Sequence, residues 1–160
     1  SLVSLMRDMY VPIPGYSSNR INAAYAFGGM PLLDQVIEED FGIVIDGNVE
    51  VDFDGFIEVM SLIAPLNIEL KSYEADYMGL PAGVNALNSE QLLKYARVRS
   101  IGNADYERTE RQRRVVGAAI NKLKEMSLTK IFSLADAALP CLTTDMSNAQ
   151  ILDYATTMMS

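Results

Sequence analysis

The chain has 160 residues, 49 % of them apolar and 21 % charged, a composition that supports one globular domain with a real core. Its formal net charge of −8 and pI near 4.5 argue against nucleic acid as the main partner. It has no histidine, which removes His-based triads and His-rich metal centres, and its one cysteine, Cys141, permits no internal disulfide.

In chain order, the apolar run Leu2, Val3, Leu5 and Met6 reads as a buried strand over 1–6. It is too short for a membrane span and lacks the basic flank of a signal peptide. A strand that begins abruptly needs neighbours, so this reading expects a chain lacking its front, partnered by a separate N-terminal fragment. Asn19 is a candidate cap for a short helix through Ala26, stopped by Gly28-Gly29. Pro31 opens a second helix, with Leu32, Leu33, Val36, Ile37 and Phe41 at helical spacing and Gly42 as its stop. Ile43-Val44-Ile45 and Asn48 to Phe53 read as strands, and Asp54 as the cap of a helix through Ile63. Asp52 and Asp54 are better explained by a strand end and an N-cap than by a paired-carboxylate site. Asn67 to Leu70 is a further strand, and 73–86, with Gly79, Pro81 and Gly83, a loop. Asn88, with Gln91 three residues on, starts a helix by a capping box. A long helix covers 105–126, and two more follow over 128–138 and 147–158, separated by Pro140. This alternation predicts an α/β fold, a central mixed β-sheet covered by helices on both faces. The whole chain, 1–160, reads as one domain.

Charge is distributed unevenly along this plan. Residues 94–114 hold seven basic and three acidic side chains, including Arg97, Arg99, Arg108, Arg111, Arg113 and Arg114; the remainder holds six basic and eighteen acidic. A guanidinium is a fixed charge with a planar fork of donors matched to phosphate or carboxylate. A cluster on an acidic background points to a discrete anion site.

Helical phase sorts the cluster. Measured from Arg108 around an ideal helix, Gln112 falls at about 40°, Val115 at about −20°, Ala119 at about 20° and Asp105 at about 60°. All four share the stripe that should face the core. Arg111, at about −60°, flanks it, while Arg113 and Arg114 point away. An inward arginine needs a partner. That partner is either a carboxylate, such as Asp105, or a bound anion. If the chain turns extended at Arg97, then Arg97 and Arg99 project to one side and Val98 to the other. Arg97 also suits the carboxyl end of a helix dipole.

Leu87-Asn88-Ser89-Glu90-Gln91, then Tyr95-Ala96-Arg97-Val98-Arg99, then Asp105 to Arg113 closely resemble the LytR–CpsA–Psr family. Arg7-Asp8-Met9-Tyr10-Val11, Asn19 to Gly29 and Val51-Asp52-Phe53-Asp54-Gly55-Phe56 resemble three more of its blocks, in the right order. Met6, Arg20 and Ser89 stand where the family usually has proline, lysine and glycine. The acidic front blocks and the membrane anchor of the family are not in this sequence.

The resemblance implies an extracytoplasmic phosphotransferase. It moves a glycopolymer of the teichoic acid or capsular type from a polyprenyl-pyrophosphate carrier to peptidoglycan, usually with magnesium. It further implies that Arg7, Arg97, Arg99 and Arg108 hold the diphosphate, with Arg20, Gln112 and Arg111 completing the cradle. Asp105 would act beside the arginines. Asp8 is the one metal candidate in this chain, the main magnesium ligands being expected in the absent front. The other reading is a polyprenyl-pyrophosphate-binding or regulatory module without turnover.

Overall fold

The structure, a computed structural model, describes residues 1–159. The chain divides into two compact units, Val3–Asn48 and Val49 onward, the latter joined by Ser1–Leu2.

The first unit is a small hairpin and a kinked helix. Strand β1 (Tyr10–Val11) pairs antiparallel with β2 (Asn19–Arg20), with Tyr10 opposite Arg20. Helix α1 (Ile21–Phe41) follows directly. It is two helices joined at Gly29, whose φ of 66° and ψ of −159° break the ladder, so the Gly28-Gly29 stop and the Pro31 restart are both seen. Arg20, not Asn19, takes the N-cap position, and Gly42 ends the helix in the left-handed conformation. Val11, Ile13, Ile21, Ala24 and Val36 form its core, with Leu5 and Met9 packed against them.

The second unit is mostly helical. Its elements are β3 (Val49–Glu50), α2 (Phe53–Ile63), β4 (Leu66–Leu70), α3 (Ser72–Met78), β5 (Gly83–Leu87), α4 (Ser89–Arg97), α5 (Ala104–Lys124), α6 (Leu128–Ala138), β6 (Thr143–Thr144) and α7 (Asn148–Met159). The ladder β4–β5 runs from Leu66 opposite Leu87 to Leu70 opposite Gly83. Along β4, Leu66, Ile68 and Leu70 are buried and Asn67 and Glu69 exposed, the period-two alternation of a half-buried strand. The buried face joins Met60 and Ile63 of α2, Leu92 and Tyr95 of α4, and Val115 and Ala119 of α5 in one core.

The α/β class is as expected, with small sheets. The strands pair as three two-stranded antiparallel ladders, β1–β2, β3–β6 and β4–β5, where the sequence predicted one central mixed sheet. The reason lies in the expected strands. Residues 1–6 form no ladder, and Leu2 and Val3 are solvent-exposed; no described strand lies alongside to satisfy their backbone. Residues 43–45 are likewise irregular, with Val44 exposed, and the strand expected over 48–53 is only Val49–Glu50. Residues 73–86 are not a loop. Glu74 and Ala75 face inward from α3, and Gly79 serves as that helix's left-handed stop.

The Val51 to Phe56 block has a clear local cause. Asp52, not Asp54, is the N-cap of α2, its Oδ1 accepting from the Gly55 amide at 2.7 Å. Gly55 is required by a close approach: a Cβ there would stand 2.3 Å from the Cys141 carbonyl oxygen. Gly55→Ala is therefore expected to destabilise the fold by on the order of 1–3 kcal/mol, the range for overpacking against backbone. Gly117→Ala, whose Cβ would meet nothing within 4 Å, is expected to stabilise α5 by about 0.5–1 kcal/mol. Urea unfolding of both variants checks the pair, and an unchanged midpoint for Gly55→Ala would contradict the packing argument.

Candidate functional site

In the second unit the site is built where α4 ends and α5 begins. Asn88 caps α4 through a reciprocal pair, its Oδ1 accepting from the Gln91 amide and its own amide donating to Gln91 Oε1, both at 2.9 Å. Arg97 is the last helical residue. Val98 then turns extended and buries its side chain, leaving Arg97 and Arg99 exposed on either side of it. Gly102, in the left-handed region at φ 64°, makes the turn into α5.

Arg99 and Arg108 converge on one carboxylate. Arg108 Nη2 lies 3.0 Å from Asp105 Oδ1, and Arg99 Nε lies 3.8 Å from the same oxygen. Arg108 is nearly buried, its side chain 10 % exposed, whereas Arg99 and Asp105 are open to solvent. Arg97 has no carboxylate within ion-pair distance among the described residues. Its guanidinium instead sits 3.8 Å from the ring centroid of Phe53, at the start of α2.

The inner part of the cluster does other work. Arg111, expected beside the core-facing stripe as a substrate contact, is fully buried. Its Nη2 donates to the Val98 carbonyl at 2.8 Å, and its Nη1 lies 3.6 Å from both Glu74 Oε1 and Glu107 Oε2. Arg114, expected to point away, reaches the same buried carboxylate: its Nη1 donates to Glu74 Oε2 at 3.2 Å and to the Tyr95 hydroxyl at 2.9 Å. Glu74 Oε2 also accepts from the Tyr95 hydroxyl at 3.3 Å and from the Lys71 amide at 3.0 Å. Glu107 is held by the Tyr73 hydroxyl at 3.0 Å, and Glu110 by Arg114. Gln112, expected on the inward stripe, lies at the surface with its Nε2 3.4 Å from the Ala96 carbonyl. The buried stripe is Arg108, Arg111, Val115 and Ala119, displaced toward Arg111 because Glu74 supplies a counter-charge there. Sequence spacing assigns 73–86 to a loop and so does not single out Glu74; a glutamate in the first turn of a short helix is the signal that marks it. In the sequence Phe53 stands out only as part of the Val51 to Phe56 block.

In the first unit, Asp8 is flanked by two arginines. Arg7 Nε lies 3.4 Å from Asp8 Oδ1 and Arg20 Nη1 lies 3.8 Å from the same atom, all three side chains being exposed. No group of three or more His, Cys, Asp or Glu side chains that could hold a metal ion occurs among the described residues. Asp8 and Asp105 each face two guanidinium groups, so neither carboxylate is shaped by its neighbours for a divalent cation.

This arginine-bearing α/β unit belongs to a known class. The chain is a member of the LytR_cpsA_psr family, whose profile matches residues 1–160. It is similar to the regulatory protein MsrR of Staphylococcus aureus, 38 % identical over 119 residues, covering 72 % of this chain and 36 % of MsrR. It is also similar to the polyisoprenyl-teichoic acid–peptidoglycan teichoic acid transferase TagU of Enterococcus faecalis, 34 % identical over 130 residues, covering 79 % of this chain and 43 % of TagU. Among solved structures, TagT bound to LI-WTA matches with a TM-score of 0.80 at 27 % identity, over 98 % of this chain and 61 % of that one. The chain thus spans less than half the length of these two curated relatives.

Two predictions test the division of the arginines. Arg111→Met leaves Glu74 with fewer counter-charges in a dry site and is expected to cost about 3–5 kcal/mol, the range for breaking a buried pair. Arg113→Ala should lie within about 0.5 kcal/mol of the parent, since Arg113 forms no ion pair among the described residues. Denaturant unfolding reads both. The Tyr95 phenol gives a pH signature. Burial pushes its pKa from 10.0 up to about 12, the Arg114 hydrogen bond opposing and the Glu74 charge adding to the rise. A folded pKa above the unfolded one means that stability from this group is complete below about pH 10 and is lost as pH climbs toward 12. Unfolding free energy measured between pH 9 and 12 should fall over that window, and less steeply in Tyr95→Phe.

Proposed function

We propose that this chain is the arginine-bearing part of a transferase that moves a glycopolymer from a polyprenyl-pyrophosphate carrier to peptidoglycan. The observation that carries the reading is the meeting of Arg99 and Arg108 at Asp105, with no carboxylate among the described residues within ion-pair distance of Arg97. Two guanidinium groups on one carboxylate leave excess positive charge and unused donors, which is what a diphosphate needs. The names of TagU and TagT support the substrate class. The acceptor hydroxyl attacks the sugar-proximal phosphorus, the bond to the bridging oxygen breaks, and polyprenyl phosphate leaves.

In this reading Arg97, Arg99 and Arg108 bind the diphosphate and neutralise charge developing on the leaving oxygen. On the first unit Arg7 and Arg20, which share Asp8, offer anion-binding donors of their own, and Gln112 is a surface donor on α5. Asp105 and Asp8 orient the arginines they bridge. Arg111 is assigned to the scaffold, not to the substrate. Magnesium is proposed as a counter-ion to the diphosphate; the described carboxylates do not by themselves form its cage, and no step above runs through it. The reaction would take place on the extracytoplasmic face of the membrane. No described helix is long and apolar enough to cross one. A second reading, a regulatory module that binds the lipid diphosphate without turnover, is favoured by the 38 % identity to MsrR.

Turnover of a polyprenyl-pyrophosphate-linked glycopolymer, with and without magnesium, separates the two readings: binding without turnover in the full-length protein selects the module. Calorimetric titration with a soluble short-chain polyprenyl diphosphate tests the cradle itself. Arg99→Ala and Arg108→Ala are each expected to weaken binding by about ten- to a hundredfold, the worth of a charge-assisted contact. Arg113→Ala should leave it nearly unchanged, because Arg113 stands about 140° around α5 from Arg108 and makes no ion pair among the described residues. Equal losses at all three positions would indicate diffuse electrostatics and overturn the cradle.

A further inference from the structure

The Val51 to Phe56 block contains an exposed aromatic residue that the local fold does not explain. Asp52 caps α2, Gly55 admits the Cys141 carbonyl, and Phe56 packs against the core. Phe53 does none of these. It is 56 % exposed at the first position of α2. Its contact is Arg97, whose guanidinium carbon lies 3.8 Å from the ring centroid.

Six of the other seven arginines are held differently. Arg99 and Arg108 share Asp105, Arg111 and Arg114 share Glu74, and Arg7 and Arg20 share Asp8. Each of these guanidinium groups is fixed by a carboxylate that also offsets its charge. A ring fixes a guanidinium without doing so. The quadrupole attracts the cation's face, while the in-plane N–H donors and the full charge stay available. An arginine that must be rigid yet un-neutralised before an anion arrives is best held this way, because ordering a free side chain on binding costs affinity.

We propose that Phe53 is a positioning residue for the anion site: it holds Arg97 in place by stacking and keeps its charge and donors free for the diphosphate. This rests on the proposed diphosphate reading and adds to it a residue on a different helix, α2, that sets the geometry of the last residue of α4. It also implies that aromatic character at position 53, rather than apolarity, is what matters. Leucine would fill similar space without a quadrupole; tryptophan would strengthen it.

The test is a double-mutant cycle on the chain, titrated calorimetrically with a soluble short-chain polyprenyl diphosphate, with circular dichroism as a fold check. Phe53→Leu should weaken binding about two- to tenfold. Phe53→Trp should restore it, and Arg97→Ala should weaken it by about ten- to a hundredfold. In the Arg97→Ala background, Phe53→Leu should have no further effect. A second readout needs no ligand: the Arg97 Nε–Hε NMR resonance should show a ring-current shift that vanishes in Phe53→Leu and persists in Phe53→Trp. A loss in Arg97→Ala with none in folded Phe53→Leu overturns this inference alone. So does a Phe53→Leu loss of equal size in both backgrounds, since Phe53 would then act independently of Arg97. An unaltered affinity in folded Arg97→Ala overturns the cradle reading and this inference together.

Discussion

The second unit depends on a single buried carboxylate. Glu74, 1 % exposed, is surrounded by Arg111 and Arg114 of α5, the Tyr95 hydroxyl of α4 and the Lys71 amide at the start of its own helix. An isolated ion in such a place is untenable, and even a paired one recovers its desolvation only with good geometry. Four donors or cations from three elements supply that geometry. Because α5 contributes two of them, one turn apart, Glu74 fixes the rotation of that helix about its axis. Arg111 goes inward, Arg108 comes to the edge of the buried stripe, and Asp105 is left at the surface beside it.

That rotation divides an arginine cluster into two populations with different chemistry. Those facing Glu74 serve cohesion: each lies within ion-pair distance of a carboxylate, and Arg111 also donates to the Val98 carbonyl. Those at the α4–α5 turn are incompletely matched, with Arg99 and Arg108 sharing one carboxylate and Arg97 resting on a ring. The excess positive charge is local, within a chain of net charge −8. A surrounding negative field disfavours generic polyanions, while a short, dense anion can engage several guanidinium groups at once. The Arg7–Asp8–Arg20 arrangement in the other unit repeats the same device, two guanidinium groups on one aspartate oxygen.

Membership of the LytR_cpsA_psr family and the match to TagT over 98 % of this chain locate these features within a known fold. The chain accounts for 61 % of that solved structure. What this chain contributes is an arginine-rich turn carried on a rigid helix pair, and the buried ion network that sets its angle.

Sequence by itself determined those parts governed by local chemistry. Asn88 and Gln91 made a capping box, Gly28-Gly29 and Pro31 divided a helix, β4 showed its alternation, and the family blocks placed Arg97, Arg99 and Arg108 about the α4–α5 turn. These signals act within a few residues, through hydrogen bonds, φ preferences and side-chain period, and so survive in a one-dimensional reading. Tertiary structure decided what depends on a partner distant in sequence. Whether residues 1–6 and 43–45 become strands depends on neighbours to pair with, and none of the described strands lies beside them. The phase of α5 was anchored on Arg108 as if apolar residues alone set it, yet a carboxylate 37 positions earlier draws Arg111 inside. Arg97 looked equivalent to Arg99 on spacing; only the fold brought Phe53 beneath it, 44 positions away, and so distinguished a guanidinium held by a ring from one held by a charge.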